Sequence, residues 1–401
     1  MSGPLEGVRV VEISMFQQGP VAGMRLGDLG ADVVKIEPKA GDPARAFMRI
    51  IGAMVGLKGR NYYFEHCNRN KRSVVLDLRK PAGMEALLRL IDTADVFLNN
   101  MSIDAPDRMG IGPDVLLARN PKLVYAHASG WGRNGTDAKK HSFDYTGIAR
   151  SGLMMACGER DAPPTQILPG IGDEIGGLIC AWGVTAALYA RDRTGKGQVV
   201  DTSLMGSVIA SLGLVMAAPA ILNEEFPREI RELAGNPMYN HYRCKDGQWI
   251  AIAHLQPDMY WLKACRALDL EHLVEDPKFS TIEARSGNAR ELVALFDERF
   301  AAKPRNEWLD ILEAAGCIAT PVQTPLQVAN DDQALANDYF INFEHPDHGP
   351  TKMVGFPWDF SDTPASCRRP APEHGAHTEE ILTEIGYTTE RIEELRNDKV
   401  I

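Results

Sequence analysis

One carboxylate in this sequence stands where it could act as a nucleophile. Asp173 lies between Gly172 and an apolar stretch, residues 175–190, that contains no charged residue. A helix without charge is expected to be buried on every side, so its start would lie inside the protein. Backbone N–H groups at a helix N-terminus favour an anion there. The structural alternative is an ordinary helix N-cap, which is a common position for aspartate.

Other catalytic chemistries lack their motifs. The turn after the first predicted strand has no GxGxxG pattern, and Pro20 stands where backbone would have to approach a pyrophosphate. The sequence contains no GxxxxGK[ST] phosphate loop and no GxSxG nucleophile turn. The closest histidine pairs, His374 with His377 and His345 with His348, are not at zinc-binding spacing to a carboxylate. We therefore predict no metal site and no dinucleotide cofactor.

Composition restricts the class of protein. The chain has 401 residues, of which 44% are hydrophobic and 24% charged, and a net charge of -11. An acidic chain disfavours non-specific binding to nucleic acid or to a membrane surface. We expect no apolar run long enough to span a bilayer and no signal peptide. The seven cysteines are scattered and form no CxxC pair, which predicts reduced thiols in a cytoplasmic protein.

Strand and helix patterns alternate through the first part of the chain, and they position Asp173. This alternation predicts a parallel sheet with covering helices. Predicted strands cover residues 8–13, 32–36, 73–78, 95–98, 123–128 and 198–204. Predicted helices between them cover residues 20–29 and 82–94, and a further long helix follows Asp173. The fold class is therefore α/β.

A second, smaller domain is predicted after residue 220. Residues 223–240 are polar and broken by proline and glycine, which is typical of a linker. Asp246-Gly247 between two short apolar runs predicts a β-hairpin. Helical patterns follow at 259–268, 289–301 and 305–315. We assign residues 1–220 to the first part of a large domain, 221–317 to a small α+β domain, and 318–401 to a return of the chain into the large domain.

Taken together, the motifs resemble the class III CoA-transferases, the family of formyl-CoA and carnitine CoA-transferases. The resemblance covers essentially the whole chain. It rests on residues 5–12, 19–20, 30–37, 70–77, 107–110, 172–173, 194–198, 377–378 and 381–382. In that family the aspartate that aligns with Asp173 is the covalent nucleophile, so the resemblance makes Asp173 the catalytic residue.

The resemblance also implies contacts with CoA. Gln17 and Gln18 occupy the turn that meets CoA and the acyl group, and Arg108 matches a residue that meets phosphate. Phe143 and Asp144 match a pair beside the pantetheine and the nucleophile. Further implied contacts are Lys39, Leu76, Asp77, Leu78, Arg79, Asn100, Met101 and Ser102. Relatives with arginine directly after the second strand differ here, because this chain has Pro38 followed by Lys39.

The implied architecture is a large Rossmann-like domain built from both chain ends, a small domain between them, and an interlocked homodimer. CoA and acyl-CoA are substrates, carboxylic acids are the other substrates, and no cofactor is bound permanently. Formyl-CoA transferase carries a glycine-rich loop in its small domain, whereas this chain has only Gly235 in the matching region 234–240. This departure argues against a substrate as small as oxalate.

The chemistry that the resemblance implies preserves the energy of the thioester. A carboxylate nucleophile forms a mixed anhydride and divides one difficult transfer into easier steps. Each attack creates a tetrahedral oxyanion, and we expect N–H groups around Gly176 and Gly177, or the Gln17 side chain, to stabilise it. One such donor is typically worth about 3 kcal/mol.

Two alternative functions remain. An α-methylacyl-CoA racemase shares the fold but needs a histidine base, and ungapped alignment places Phe143 at that position, with His141 expected to point elsewhere. A non-catalytic CoA-binding protein is the third class. Among transferases, the sequence looks most like enzymes acting on (R)-2-hydroxyacids such as phenyllactate or 2-hydroxyisocaproate. Apolar bulk for such a substrate, or simple domain packing, is predicted at Met15, Phe16, Met238 and Tyr239.

Overall fold

A parallel sheet of six strands forms the centre of the protein. The computed structural model describes residues 3–47, 49–50, 53–54, 56–57 and 60–401. In these residues the sheet has the order β3-β2-β1-β4-β5-β6, and every neighbouring pair is parallel. The strands are β1 (Arg9–Ile13), β2 (Asp32–Glu37), β3 (Lys71–Val75), β4 (Val96–Asn99), β5 (Val124–Ser129) and β6 (Gln198–Ser203). The predicted α/β class with a parallel sheet is confirmed.

This strand order is that of the Rossmann fold, in which the direction of winding reverses between β1 and β4. Helices connect the strands. They are α1 (Gln18–Asp28), α2 (Tyr62–Asn68), α3 (Pro81–Asp92), α4 (Ala105–Arg108), α5 (Pro113–Arg119), α6 (Asp144–Arg150), α7 (Leu153–Ala156), α8 (Ile171–Thr194), α9 (Leu204–Ser211) and α10 (Gly213–Leu222). A 3-10 turn, Pro43–Ala46, and two short antiparallel pairs, Arg49–Ile50 with Ala53–Met54 and Gly56–Leu57 with Arg60–Asn61, lie between β2 and α2.

Strands β1 to β5 are buried on both faces, whereas the edge strand β6 is largely exposed. Alternate residues of each strand point to opposite sides and reach two separate clusters. On one face Val11, Val34 and Phe97 pack with α3. The C-terminal part of the chain contributes to the same cluster through Ile381 and Leu395. On the other face Val10, Val33 and Leu98 pack with α1 and α8. Both ends of the chain therefore contribute to one core.

The long helix α8 is buried on one side only. Cys180, Ala181 and Val184 face the core, whereas Trp182 is 71% exposed and Tyr189 is 60% exposed. The expectation that this helix is buried on every side was therefore wrong, because absence of charge does not reveal how many faces of a helix the chain itself covers.

Within the described residues, α8 is also long and apolar enough, by length and composition alone, to cross a membrane. This finding corrects our expectation that the sequence contains no such run.

Contacts divide the chain into two compact units. The first comprises Met1–Met155, Gln166–Asn223 and Asp338–Ile401, and the second comprises Ala156–Thr165 and Glu224–Asn337. The second unit has an antiparallel sheet of β7 (Tyr239–Arg243), β8 (Trp249–Ala253) and β9 (Ala319–Val322). Its helices are α11 (Pro257–Ala267), α12 (Ile282–Gly287), α13 (Ala289–Phe300), α14 (Arg305–Ala314), α15 (Pro325–Val328) and α16 (Asp332–Ala336), with 3-10 turns at Arg231–Leu233 and Glu271–Leu273.

The predicted hairpin around Asp246-Gly247 is confirmed, since β7 and β8 pair directly across it. Residues 318–337, which we predicted as the start of the return, lie with the second unit because β9 pairs with β8. The return segment contains a hairpin of β10 (Phe340–His345) and β11 (Gly349–Val354), followed by α17 (Thr378–Glu384) and α18 (Thr389–Asn397).

Candidate active site

A cavity of about 330 Å³ opens at the carboxyl ends of β1, β4 and β5. Open parallel sheets bind ligands at this edge, where the winding reverses. The cavity brings together seven predicted site residues from four segments of the first unit. They are Gln17, Gln18, Asn100, Met101, Ser102, Phe143 and Asp173. The remaining lining is Met15, Phe16, Ile103, Ala128, Ser129, Gly130, Ala138, Lys139, Lys140, His141, Ser142 and Leu204.

Asp173 is the third residue of α8 and does not cap it. The cap position is Gly170, whose φ of +85° is readily adopted only by glycine. Asp144 performs the capping instead, because its carboxylate accepts the N–H of Gly170 at 2.8 Å and that of Asp173 at 3.0 Å. The carboxylate of Asp173 itself accepts no hydrogen bond from any residue that the structure describes. The carboxylate therefore lines the cavity and supports no neighbouring element through a hydrogen bond from the described residues.

The ionisation of Asp173 is strongly disfavoured. Burial raises the pKa of its carboxyl to about 8, and the negative charges of Asp144 and Glu174 act in the same direction. A perturbed carboxyl in a cavity is typical of a functional group, because folding alone gains nothing from it. Loss of the proton from this carboxyl leaves an uncommitted, poorly solvated oxygen nucleophile.

Replacing Asp173 with asparagine is expected to stabilise the fold, and increasingly so with rising pH. The pKa of this carboxyl is 3.8 in an unfolded chain and about 8 in the fold, so between these values the folded protein retains a proton that the unfolded chain releases. Its contribution to stability therefore falls as pH rises through that window. We expect the free energy of unfolding of Asp173→Asn to exceed that of the wild type by roughly 1–3 kcal/mol near pH 8 and to differ little near pH 4. Urea denaturation at both pH values measures this, and a constant difference would contradict it.

Gln17 fixes the turn that carries Asp173. Its side-chain Nε2 donates to the carbonyl of Gly170 at 3.2 Å and to Glu174 Oε1 at 3.0 Å. Both amide hydrogens are thereby engaged, so the predicted oxyanion role of Gln17 would require it to release one of them. Gln17 and Asp173 line the same cavity, as the resemblance implied, but the sequence did not reveal these contacts of Gln17 with the start of α8.

Gly176 and Gly177 do not fit their predicted role as oxyanion donors. Both lie inside α8, where each N–H is bonded to the carbonyl four residues earlier, and only the first-turn N–H groups lack such partners. Their small size instead lets α1 approach closely. A Cβ on Gly177 would lie 2.6 Å from Val21, and one on Gly176 would lie 2.8 Å from Gln18 Nε2. The first-turn N–H groups of Ile171 and Gly172 are better placed for an anion.

A second cavity, of about 520 Å³, contains seven of the predicted CoA contacts. They are Lys39, Leu76, Asp77, Leu78, Arg79, Asn100 and Met101. Met15, Asn100 and Met101 line both cavities, so the two share a wall. Asn100 closes this wall by two hydrogen bonds, accepting the Met15 N–H at 3.0 Å and donating to the Met15 carbonyl at 2.8 Å. Arg108 lies outside both linings and pairs with Asp104 at 2.5 Å.

A buried ion cluster supports the turn after β1. Glu12, Lys35 and Lys71 are fully buried, and each lysine ammonium lies within hydrogen-bond distance of Glu12, at 3.2 Å and 2.8 Å. Lys35 also pairs with Asp42 at 3.0 Å. Asp42 in turn accepts the N–H of Phe16 at 3.2 Å. Phe16 has a φ of +64°, which is strained for a bulky residue, so this cluster helps to hold the strained turn.

Aromatic rings lie beside the first cavity. The ring of Phe16 is 5.8 Å from that of Phe47 and 6.0 Å from that of Phe143, and Phe47 is 5.9 Å from Tyr63. Phe16 and Phe143 were predicted from the sequence, whereas Phe47 and Tyr63 were not, because no motif gives a signal for them. Met238 is fully buried among the core residues of the second unit, where it serves packing.

The comparison with protein families agrees with this geometry. The model of CoA-transferase family III matches residues 5–378. This chain belongs to CoA-transferase family III. The transferase is 33% identical to the (R)-2-hydroxy-4-methylpentanoate CoA-transferase of Clostridioides difficile, over 99% of each chain. It is 32% identical to the cinnamoyl-CoA:phenyllactate CoA-transferase of Clostridium sporogenes, over 98% of this chain and 96% of that protein.

Two further similarities bear on the transferase. A crystal structure of a CAIB/BAIF family protein from Brucella suis superposes with a TM-score of 0.85 at 30% identity, over 96% of this chain and 100% of that one. Human alpha-methylacyl-CoA racemase is 32% identical, over 99% of this chain and 97% of that protein. His141, which we expected to point elsewhere, lines the same cavity as Asp173. That expectation was wrong because the loop 138–142 folds along the cavity wall.

Proposed function

We propose that this transferase moves CoA between carboxylic acids through covalent intermediates on Asp173. One observation carries the proposal: the uncommitted carboxylate of Asp173 lies at a helix N-terminus in a cavity that shares a wall with a second, larger cavity. CoA-transferases use CoA thioesters as substrates, and two adjoining cavities suit a ligand with an acyl end and a nucleotide end. A non-catalytic CoA-binding protein would have no need of a perturbed, unpaired carboxyl.

The reaction begins when the Asp173 carboxylate attacks the carbonyl carbon of the donor thioester. The C–S bond breaks, CoA leaves as thiolate, and a mixed anhydride remains on Asp173. The thiolate then attacks the aspartyl carbonyl and releases the donor acid, which gives an aspartyl-CoA thioester. The acceptor carboxylate attacks this thioester and releases thiolate, and the thiolate finally attacks the acceptor acyl group. Asp173 is regenerated as carboxylate, so no proton or electron is consumed.

The start of α8 supports the charge that develops in these steps. Each tetrahedral intermediate places negative charge on an oxygen next to Asp173, where the positive end of the helix dipole and the first-turn N–H groups lie. Asp144 fixes the geometry of that turn through its two hydrogen bonds, so the N–H groups are oriented before the reaction starts.

The proposed substrates are 2-hydroxyacids with branched or aromatic side chains, and their CoA thioesters. The names of the two transferase relatives support this class, and so does the apolar lining at Met15, Phe16 and Phe143. Burial of such a side chain contributes about 1.5–3 kcal/mol. A one- or two-carbon acid gains little of this, which gives a selectivity of about ten- to a hundredfold.

Three further parts of the proposal concern the state of the protein. We propose an interlocked homodimer in the cytoplasm, without nucleic-acid or membrane partners. Exposed apolar side chains on α8 and α10 support a protein partner for this side of the first unit: Trp182, Tyr189, Leu214, Ile221 and Leu222. No cluster of three or more potential metal ligands occurs within the described residues.

A panel of acids tests the proposed substrate class. With one acyl-CoA donor, we expect kcat/KM for phenyllactate or 2-hydroxyisocaproate to exceed that for formate, oxalate and acetate by about ten- to a hundredfold. A preference for the small acids would contradict the hydroxyacid assignment and leave the transferase assignment intact.

A second experiment tests for racemisation. A 2-methylacyl-CoA is incubated with the protein in deuterated water without an acceptor acid, and we expect no exchange of its α-hydrogen.

The racemase is the second candidate because a racemase relative covers the chain and His141 lines the cavity. Racemisation requires a base that removes the α-proton, and His141 is the histidine in this lining. Exchange of the α-hydrogen at a rate near that of transfer, lost in His141→Ala, would favour the racemase. Exchange that survives in His141→Ala would exclude this histidine as the base.

A further inference from the structure

A buried histidine contacts the wall that the two cavities share. His127 lies in β5 and is almost fully buried. In the sheet it stands directly beside Asn99, the last residue of β4, and Met101 follows two residues later. Met101 lines both cavities, whereas His127 lines neither. His127 also lies outside the motifs that indicated the family, so nothing in the sequence assigned it a role.

The imidazole ring of His127 holds the main chain of the wall. Its Nε2 is 2.9 Å from the carbonyl oxygen of Met101. A carbonyl oxygen can only accept a hydrogen bond, so Nε2 carries a proton and donates. No other described residue donates to this carbonyl. The N–H of Met101 reaches only Asn99 Oδ1, at 3.4 Å, which leaves His127 as the shorter of the two ties on Met101.

The next strand of the sheet restrains the same ring. Asp201 of β6 is the partner of His127 in the parallel register. Its Oδ1 lies 3.4 Å from His127 Nδ1, a contact without hydrogen-bond geometry, and its Oδ2 lies 2.8 Å from Arg133 Nε. The hydroxyl of Thr202 donates to the carbonyl of His127 at 3.4 Å. The ring is therefore placed by β4, β5 and β6 together.

The wall itself has few supports. Asn100 and Met101 are half-buried and Ser102 is exposed. On one side the wall is tied through the two hydrogen bonds between Asn100 and Met15, and on the other through the bond from His127 to Met101. A short surface segment with so few ties opens easily when one of them is lost.

We propose that His127 is a positioning residue for the CoA thioester: by holding the Met101 carbonyl, it keeps residues 100–102 in the position that lets one ligand occupy both cavities. The proposal rests on the proposed use of both cavities by a single CoA thioester. His127 touches neither the substrate nor the reacting atoms, and its effect passes through Met101. Without this bond the wall samples other positions, and binding across it must first select the competent one.

Two substitutions of similar polarity separate the hydrogen bond from the rest of the side chain. The amide nitrogen of glutamine lies about as far from the main chain as Nε2 of histidine, so His127→Gln can still donate to Met101. The amide of asparagine is one bond shorter, so His127→Asn cannot reach that carbonyl. His272→Asn, on the exposed surface of the second unit, is the matched control and is expected to change no binding constant.

Calorimetric titration of the whole protein with CoA, and separately with adenosine 3′,5′-bisphosphate, measures the effect. Loss of one hydrogen bond is expected to raise the Kd for CoA by about three- to tenfold in His127→Asn. The bisphosphate is only the nucleotide end of CoA and occupies one side of the wall, so we expect its Kd to change by less than about twofold. His127→Gln is expected to bind both ligands within about twofold of the wild type. General loosening of the fold would weaken both ligands alike.

The transfer assay gives a second readout. His127 contacts neither Asp173 nor the start of α8 that supports the reaction. We therefore expect the KM for the acyl-CoA in His127→Asn to rise by about three- to tenfold, with kcat within about twofold of the wild type. The KM for the acceptor acid, which does not extend across the wall, is expected to stay unchanged.

Three results would overturn the proposal: an unchanged Kd for CoA in His127→Asn, an equal loss for CoA and the bisphosphate, or a loss in His127→Gln as large as in His127→Asn. If His127→Asn does not fold, Asp201→Ala loosens the ring from β6 instead, and an unchanged Kd for CoA in that variant counts equally against the proposal. The titration requires no catalysis, so it gives the same answer even if Asp173→Ala retains transfer. Absence of CoA binding by the wild-type protein would instead refute the proposed function itself.

Discussion

Asp173→Ala is expected to abolish CoA transfer while leaving the protein folded. The side chain accepts no hydrogen bond from the described residues, so its removal breaks no contact that supports α8. Without a carboxylate at this position neither the mixed anhydride nor the aspartyl thioester can form. Loss of a covalent nucleophile typically costs at least about 10³-fold in kcat.

The measurement combines activity with chemical trapping. Incubation of wild-type protein with acyl-CoA and hydroxylamine is expected to convert Asp173 alone to a hydroxamate, detected by peptide mass spectrometry. Asp192→Ala is the matched control, because Asp192 lies on the same helix in its exposed last turn. Substantial transfer by Asp173→Ala, or a hydroxamate at another residue, would refute the covalent mechanism.

Glu12→Ala is expected to destabilise the fold by about 3–5 kcal/mol, because it leaves buried ammonium groups uncompensated. Glu12 is fully buried and lies within hydrogen-bond distance of both Lys35 and Lys71. Among the described residues, Lys71 then retains no carboxylate within salt-bridge distance, and Lys35 retains only Asp42. An alanine also leaves a cavity beside Gly23, where Glu12 Oε2 now occupies the space of a Cβ.

Urea unfolding measures this loss, with Glu85→Ala as the control. Glu85 forms an exposed pair with Arg89 one helical turn away, so its removal is expected to cost less than about 0.5 kcal/mol. Glu12→Gln keeps the shape of the side chain and one hydrogen-bond acceptor, so its loss in free energy of unfolding is expected to lie between those of Glu12→Ala and Glu85→Ala. A cost below 1 kcal/mol for Glu12→Ala would mean that the lysines find other partners or lose their protons readily.

The sequence predicted the central sheet and the location of the site because both depend on local patterns. Apolar runs of the length of a strand marked β1, β2, β4 and β5 to within one or two residues, and the winding of a parallel sheet then brings their carboxyl ends together. Predicted residues such as Gln17, Asn100 and Asp173 meet at that edge for this reason. The strand predicted at residues 73–78 starts later than the observed β3, which begins at Lys71. The sequence did not reveal that the polar residues Lys71 and Arg72 form ion pairs with distant carboxylates and so can lie inside the sheet.

The details that the sequence could not provide depend on contacts between distant segments. Asp144 caps α8 from 26 and 29 residues away, so the helix begins before Asp173 and the glycines after it fall in its interior. His66 reaches Glu174 across 108 residues. Neither contact leaves a spacing that can be recognised in one sequence. The role of Phe47 and Tyr63 beside the cavity is hidden for the same reason.

The shared wall of the two cavities has a consequence for the order of events. Since Met15, Asn100 and Met101 line both cavities, a ligand long enough to occupy both is bound at each of its two ends. One end can then be exchanged while the other remains anchored. Under the proposed mechanism, the outgoing acid leaves and an incoming acid enters while the nucleotide portion stays bound, so each thiolate is recaptured at the site that released it.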